Sequence, residues 1–331
     1  SADLARTLGL PIILVIDCGK MSHSVAALAK GFADFAPDLY VGGVILNRVG
    51  SDRHERMLRS ALSEANIDCL GAMPRDAALA IPERHLGLVQ AGENTELESF
   101  VDAAADRMER HVDIDRIGSL SRLGTPFDVT ANIPRLPPLG QKIAIARDLA
   151  FAFSYEHTLL GWRRRGAELS LFSPLSDEAP APGANVVFLP GGYPELRAGL
   201  IAAADTVRRG MAEAIARNIP VYGECGGYMV LGEGLIDAEG LRHEMLGALP
   251  LVTSFAERKR HLGYRRLVPE PGFLWDMTLT AHEFHYSTVV SEGAGDPLFS
   301  VTDAEGNDLP KAGRRRGRVA GSYMHVIDIA G

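Results

Sequence analysis

The sequence predicts an α/β protein built from two doubly wound, mainly parallel sheet domains. Three observations carry this. Short apolar runs alternate with segments of helical spacing along most of the chain. Residues 113–141 interrupt that alternation with a proline-rich stretch of no clean periodicity. The 331 residues are enough for two ordinary domains with sizeable cores.

The elements follow in order. A helical fragment opens the chain. The run Leu10 to Asp17 is continuously apolar and ends in an acid, which predicts a buried parallel strand. Residues 22–35 have helical spacing, with Ser22 as the expected N-cap. A second strand runs from Val41 to Leu46 and is closed by Asn47-Arg48. A helix over 53–65, a short strand near Ile67 to Leu70 and a helix over 95–110, capped by Asn94 or Thr95, complete the first domain. Its expected extent is 1–115, followed by a linker over 116–140.

The second domain, 141–331, starts with a strand from Lys142 to Ala146 and a helix over 152–165 that ends in Arg163-Arg164-Arg165-Gly166. Strands follow at Ala167–Phe172 and Asn185–Leu189, the second closed by Pro190-Gly191-Gly192. Helical sequence fills 194–217, and a strand from Ile219 to Tyr222 runs into Gly223-Glu224-Cys225-Gly226-Gly227. From residue 245 onward the pattern is strand-like.

Composition excludes several classes. With 46% hydrophobic and 23% charged residues the chain is not disordered. A net charge of −8 disfavours nucleic acid and acidic membranes as partners. The run Arg314-Arg315-Arg316-Gly317-Arg318 reads as a solvated loop. Three widely spaced cysteines make no disulfide framework, so a reducing cytoplasm is expected.

Cys225 is the principal candidate. A cysteine between glycines at a strand-to-helix turn fits a nucleophile elbow, where close backbone approach excludes side chains. A helix N-terminus beneath it would favour the thiolate. A buried cysteine at an ordinary junction is the alternative. A nucleophilic thiol needs a base, and His325 follows a hundred residues later in a strand-like run. The backbone N–H groups of Gly192 and Gly226 suit an oxyanion hole. His282-Glu283-Phe284-His285 does not fit the helical zinc motif. Its histidines are three apart and face opposite sides of a strand.

Together the segments LPGGYPE, YGECGGYMVLG, HLGYRR, HEFHYS and GSYMH resemble a class I glutamine amidotransferase domain. More narrowly they resemble the cobyrinic or hydrogenobyrinic acid a,c-diamide synthases of cobalamin biosynthesis. VIDCGKMSHSVAALAKGF, GGVILNRVGSDRH and PERHLGLV resemble that family's dethiobiotin-synthetase-like ATP domain. The resemblance implies that Cys225 attacks the carboxamide of glutamine, His325 serves as its base, and Gly192 and Gly226 hold the oxyanion. The ammonia would amidate the a and c acetates of the corrinoid, activated by ATP and Mg²⁺ in the first domain. It also implies Asn47, Arg48, Pro74 and Arg75 near the nucleotide, and a homodimer. Class I amidotransferases place an acid two residues after the histidine. Here that position is Ile327, which leaves Asp328 as a candidate third member.

The family's P-loop is not found. Leu14 and Met21 stand where the G-x-x-x-x-G-K-[ST] pattern needs glycine and a hydroxyl. This predicts an incomplete P-loop-type domain, truncated at its N-terminus, with the synthetase activity lost from this chain, no metal ligands and no tightly bound cofactor. Two other functions stay open on the residues: a glutaminase or cysteine–histidine acyl transferase serving a different acceptor acid, and a non-catalytic binding fragment.

Overall fold

The computed structural model describes residues 2–81, 89–121, 135–272 and 274–330. The chain forms two compact units, Ser1–Ala131 and Asn132–Gly331.

In the first unit, helix α1 (Ala2–Leu8) precedes strand β1 (Ile12–Asp17), helix α2 (Ser24–Phe35), strand β2 (Val41–Val49), helix α3 (Asp52–Glu64), strand β3 (Cys69–Pro74) and helices α4 (Leu97–His111) and α5 (Ile114–Ser121). The strands form one parallel sheet in the order β1-β2-β3. Successive residues of β2 serve opposite faces, as the pleat demands. Val44 and Leu46 pack with Leu58 and Leu62 of α3, while Ile45 packs with Leu70, Val112 and Leu120.

Several ends differ from expectation. Ser22 Oγ accepts from the adjacent His23 N–H, so His23 is the N-cap of α2 and its side chain caps nothing. Asn94 likewise accepts from Glu96 N–H, one residue ahead of α4. The strand expected near Ile67 begins at Cys69. Asn66 turns left-handed (φ 55°) at the end of α3, and Ile67 N–H returns to Leu62 O. Helix α5 occupies the first residues of the expected linker, where Ile117 and Leu120 recur at helical spacing and join the core. The PERHLGLV segment lies outside the described residues except for Val89.

The second unit begins with β4 (Lys142–Ala146), α6 (Glu156–Arg164), β5 (Glu168–Phe172) and β6 (Val186–Leu189). Helices α7 (Ala198–Ala202) and α8 (Asp205–Ala216) lead to β7 (Val221–Glu224) and α9 (Gly226–Leu231). The expected helix over 194–217 is therefore broken, starting with a 3₁₀ turn at Pro194–Arg197. Strands β8 (Gly234–Ile236), β9 (Arg242–Glu244), β10 (Leu251–Ser254), β11 (His261–Pro269), β12 (Leu279–His285), β13 (Thr288–Glu292), β14 (Asp296–Asp303), β15 (Asp308–Arg316), β16 (Val319–Ser322) and β17 (Met324–Ile329) follow.

A ten-stranded sheet has the order β17-β12-β11-β14-β15-β16-β7-β6-β4-β5. Its half from β16 to β5 is parallel, and antiparallel strands extend it on the other side. Alternation again divides two cores. Ala144, Ala146, Val187 and Leu189 face one, and Ile143, Ile145, Val186 and Phe188 face the other. Each large apolar side chain so buried stabilises the fold by roughly 1.5–3 kcal/mol.

The arginine run is not a free loop. Arg314 and Arg315 lie in β15, where Arg314 pairs with Glu292 and Arg315 with Asp296 and the Pro271 carbonyl. Among the described residues, no helix is long and apolar enough to cross a membrane.

Candidate active site

Strand β7 delivers Cys225 to the apex of a sharp turn. Cys225 has φ 46° and ψ −102°, a backbone state that is strained for any residue with a Cβ. Its N–H is anchored to Ser322 O at 2.8 Å on the parallel neighbour β16. The glycines allow the close packing around it. A Cβ on Gly227 would lie 2.0 Å from Leu189 O, and one on Gly192 would lie 2.0 Å from Ala150 O. A Cβ on Gly226 would stand 3.1 Å from Gly192 N, so the Gly192 amide lies close against the Gly226 Cα.

His325 and Cys225 meet over Gly191. A Cβ at Gly191 would lie 2.3 Å from His325 Cε1 and 3.4 Å from Cys225 Cβ. Both side chains are buried. The His325 ring stacks on His282 at 4.7 Å between centroids and 7° between planes. The two are directly paired across β12 and β17, which explains the stacking. Tyr155 Oη bonds His282 Nε2 at 2.5 Å, and the Phe153 ring lies tilted beside His325, 6.4 Å between centroids.

Electrostatics leave both the Cys225 thiol and the His325 ring neutral. Burial pushes the Cys225 thiol up, reinforced by the charge of Glu195, and the Gly226 N–H only partly offsets this. The thiolate expected over a helix N-terminus is therefore not the resting form, because desolvation outweighs the single N–H that reaches the sulfur. Burial lowers His325 to about 3, so its ring is a free base. Glu224, also fully buried, is raised to about 8 by desolvation and accepts from Val326 N–H at 3.2 Å.

Asp328 does not complete a triad. Its carboxylate accepts from Leu136 N–H at 2.7 Å and pairs with Arg135 at 2.9 Å. Among the described residues, no carboxylate hydrogen-bonds the His325 ring. Orientation comes instead from His282 and Tyr155, which sequence reasoning did not assign to the site. The signal lies in strand pairing, which a linear sequence does not display.

His261, Glu283 and His285 cluster within 4.8 Å of one another. They do not fit a metal. The His261 and His285 rings are stacked at 4.5 Å and 5°, and an ion must lie in the plane of each imidazole it binds. Parallel planes share no such point. Burial raises Glu283, but hydrogen bonds from His285 and Arg265 and their charges bring it down to about 2.

In the first unit, the carboxyl edge of the parallel sheet gathers Asp17, Asn47, Arg48, Pro74 and Arg75. Asp17 pairs with Asn47 in register and with Arg48 at 2.9 Å. Arg48 is left-handed (φ 59°), and Arg75 N–H bonds Val49 O at 2.9 Å beside Pro74. Ligands of open α/β sheets bind at this edge. Asp17 and the Gly19 N–H it accepts are the parts not singled out from the sequence.

Comparison with known proteins bears on both units. Residues 142–329 match the CobB/CobQ-like glutamine amidotransferase domain, and residues 2–89 match the CobQ/CobB/MinD/ParA nucleotide binding domain. A Sinorhizobium sp protein named hydrogenobyrinate a,c-diamide synthase is 59% identical over 330 residues, 100% of this chain and 76% of the relative. A Rhizobium meliloti protein of the same name is 58% identical over 99% of this chain and 76% of its own length. A Mesorhizobium japonicum one is 47% identical over 99% of this chain and 75% of its length.

Proposed function

The chain belongs to the hydrogenobyrinate a,c-diamide synthase family, and from that premise we propose that it amidates the a and c acetates of hydrogenobyrinic or cobyrinic acid with glutamine nitrogen, using ATP. The names of the relatives support the metal-free hydrogenobyrinic acid of the two. The observation that carries the reading is Cys225 at a positive-φ apex with a neutral His325 ring against the same glycine.

The chemistry follows from those positions. The Cys225 sulfur attacks the carboxamide carbon of glutamine, and its proton passes to His325. The Gly192 and Gly226 N–H groups stabilise the oxyanion. His325 returns the proton to the departing nitrogen, releasing ammonia and leaving a thioester. Water then attacks the thioester with His325 as base, which frees glutamate and the thiol. A neutral imidazole is the form both steps need first.

ATP would supply the activation of the acetate carboxylates. The described residues offer a sheet edge with Asp17, Asn47, Arg48 and Arg75 but no glycine-rich phosphate cradle. Asp17, already paired with Arg48, is too little for a Mg²⁺ site. The proposal includes the homodimer implied by family resemblance, which sedimentation tests.

The deciding experiment supplies amide-¹⁵N glutamine, ATP and hydrogenobyrinic acid. Two ¹⁵N atoms in the corrinoid product are expected. Glutamine-dependent amidation of another acid with no label in the corrinoid contradicts the reading and favours that acceptor.

A further inference from the structure

Glu195 follows directly on the Gly191-Gly192 turn, inside the 3₁₀ turn Pro194–Arg197. This turn packs on the start of α9. Pro194 Cδ stands 2.8 Å from where a Cβ on Gly226 would lie. Glu195 is only 9% exposed, and its buried Oε1 has no hydrogen-bond partner among the described residues. No ion pair forms with it there, and the exposed Arg258 acts on it only through longer-range attraction.

Such a group is costly twice. An unsatisfied buried oxygen destabilises the fold. Burial also pushes the Glu195 carboxyl up to about 7, and when ionised it is the charge that most opposes ionisation of the Cys225 thiol. Both costs disappear when a cation occupies the site. The substrate of Cys225 carries one. Only four bonds of about 1.5 Å separate the reacting carbon of glutamine from its α-ammonium nitrogen. The α-carboxylate is excluded from this position by charge, and one carboxylate is too few for a metal.

We propose that Glu195 binds the α-ammonium group of glutamine and so selects an α-amino acid amide as the donor. The inference rests on glutamine being the substrate of Cys225. Bound substrate then neutralises the charge that adds to burial in keeping the thiol protonated, so recognition and activation of the nucleophile are coupled.

The test compares glutamine with glutaramate, which has the same chain and carboxylate but no α-amino group. Ammonia release is measured for wild type, Glu195→Gln and Glu195→Asp. Wild type should prefer glutamine in kcat/KM by about tenfold to a hundredfold, as for loss of a charged hydrogen-bond partner. Glu195→Gln should lose most of that preference through KM for glutamine, and Glu195→Asp should keep part of it. Equal preference in wild type and Glu195→Gln overturns the inference. So does a wild-type enzyme that hydrolyses glutaramate as well as glutamine, a result that needs no variant to fold. Wild type that releases no ammonia from glutamine, while iodoacetamide still alkylates Cys225, removes the premise instead. The two failures are therefore distinguishable.

Discussion

Replacing Gly191 with alanine should slow glutamine hydrolysis about a hundredfold while leaving Cys225 and His325 themselves unchanged in sequence. The new methyl would lie 2.3 Å from His325 Cε1 and 3.0 Å from Nδ1. Carbon atoms pack at about 3.5–4.0 Å, so the ring must retreat by roughly 1 Å or more. It has little room to do so. His325 is 3% exposed and is stacked on His282 at 4.7 Å. A displacement of that size between reacting groups costs on the order of a hundredfold in rate. Overpacking should also cost about 1–3 kcal/mol of stability. The assay is steady-state ammonia release, with kcat falling about a hundredfold and KM nearly constant. Gly183→Ala, where the added methyl meets nothing within 4 Å, is the control and should leave kcat unchanged. A folded Gly191→Ala enzyme with kcat within about threefold of wild type would refute the placement of His325.

Much of this arrangement is legible in the sequence because it is local. Gly223 to Gly227 announce a tight strand-to-helix junction, and the Cys225 backbone has the strained geometry such a junction needs. Alternation of apolar runs marks the parallel strands β4, β5 and β6 within a residue or two. What is not legible depends on partners distant in the chain. His282 and His325 meet because β12 and β17 are neighbours, a pairing that no local pattern encodes. Asp328, one residue beyond the expected acid position, is the candidate nearest His325 in sequence, yet Arg135 and Leu136, nearly two hundred residues away, hold it. The caps of α2 and α4 fail for a smaller reason. Ser22 and Asn94 satisfy backbone amides ahead of the helix.

Three further outcomes are expected. The folded pKa of Glu224, about 8, exceeds its ordinary 4.5, so its contribution to stability is intact below about 4.5 and is lost as pH rises through 8. Urea unfolding at pH 5 and pH 8 should show wild type weakening by about 1.4 kcal/mol per pH unit in this window from this group. Glu224→Gln should remove that slope, and an unchanged slope contradicts the assignment. His325, lowered to about 3 by burial, should keep a neutral ring at mildly acidic pH in ¹⁵N-histidine NMR, and titration near 6.5 would count against it. Tyr155→Phe removes the hydroxyl bonded to His282 and should lower kcat about fivefold at constant KM, the effect of one hydrogen bond of about 1 kcal/mol. Wild-type kcat in that variant would deny Tyr155 a positioning role.

The central claim is that Cys225 is the nucleophile that takes glutamine apart. It is tested most directly by peptide mass spectrometry after reaction with a diazoketone analogue of glutamine. The account predicts one adduct per chain, on Cys225, with Cys18 and Cys69 unmodified and no adduct in Cys225→Ser. An adduct on another residue, or none on a folded chain, would contradict it.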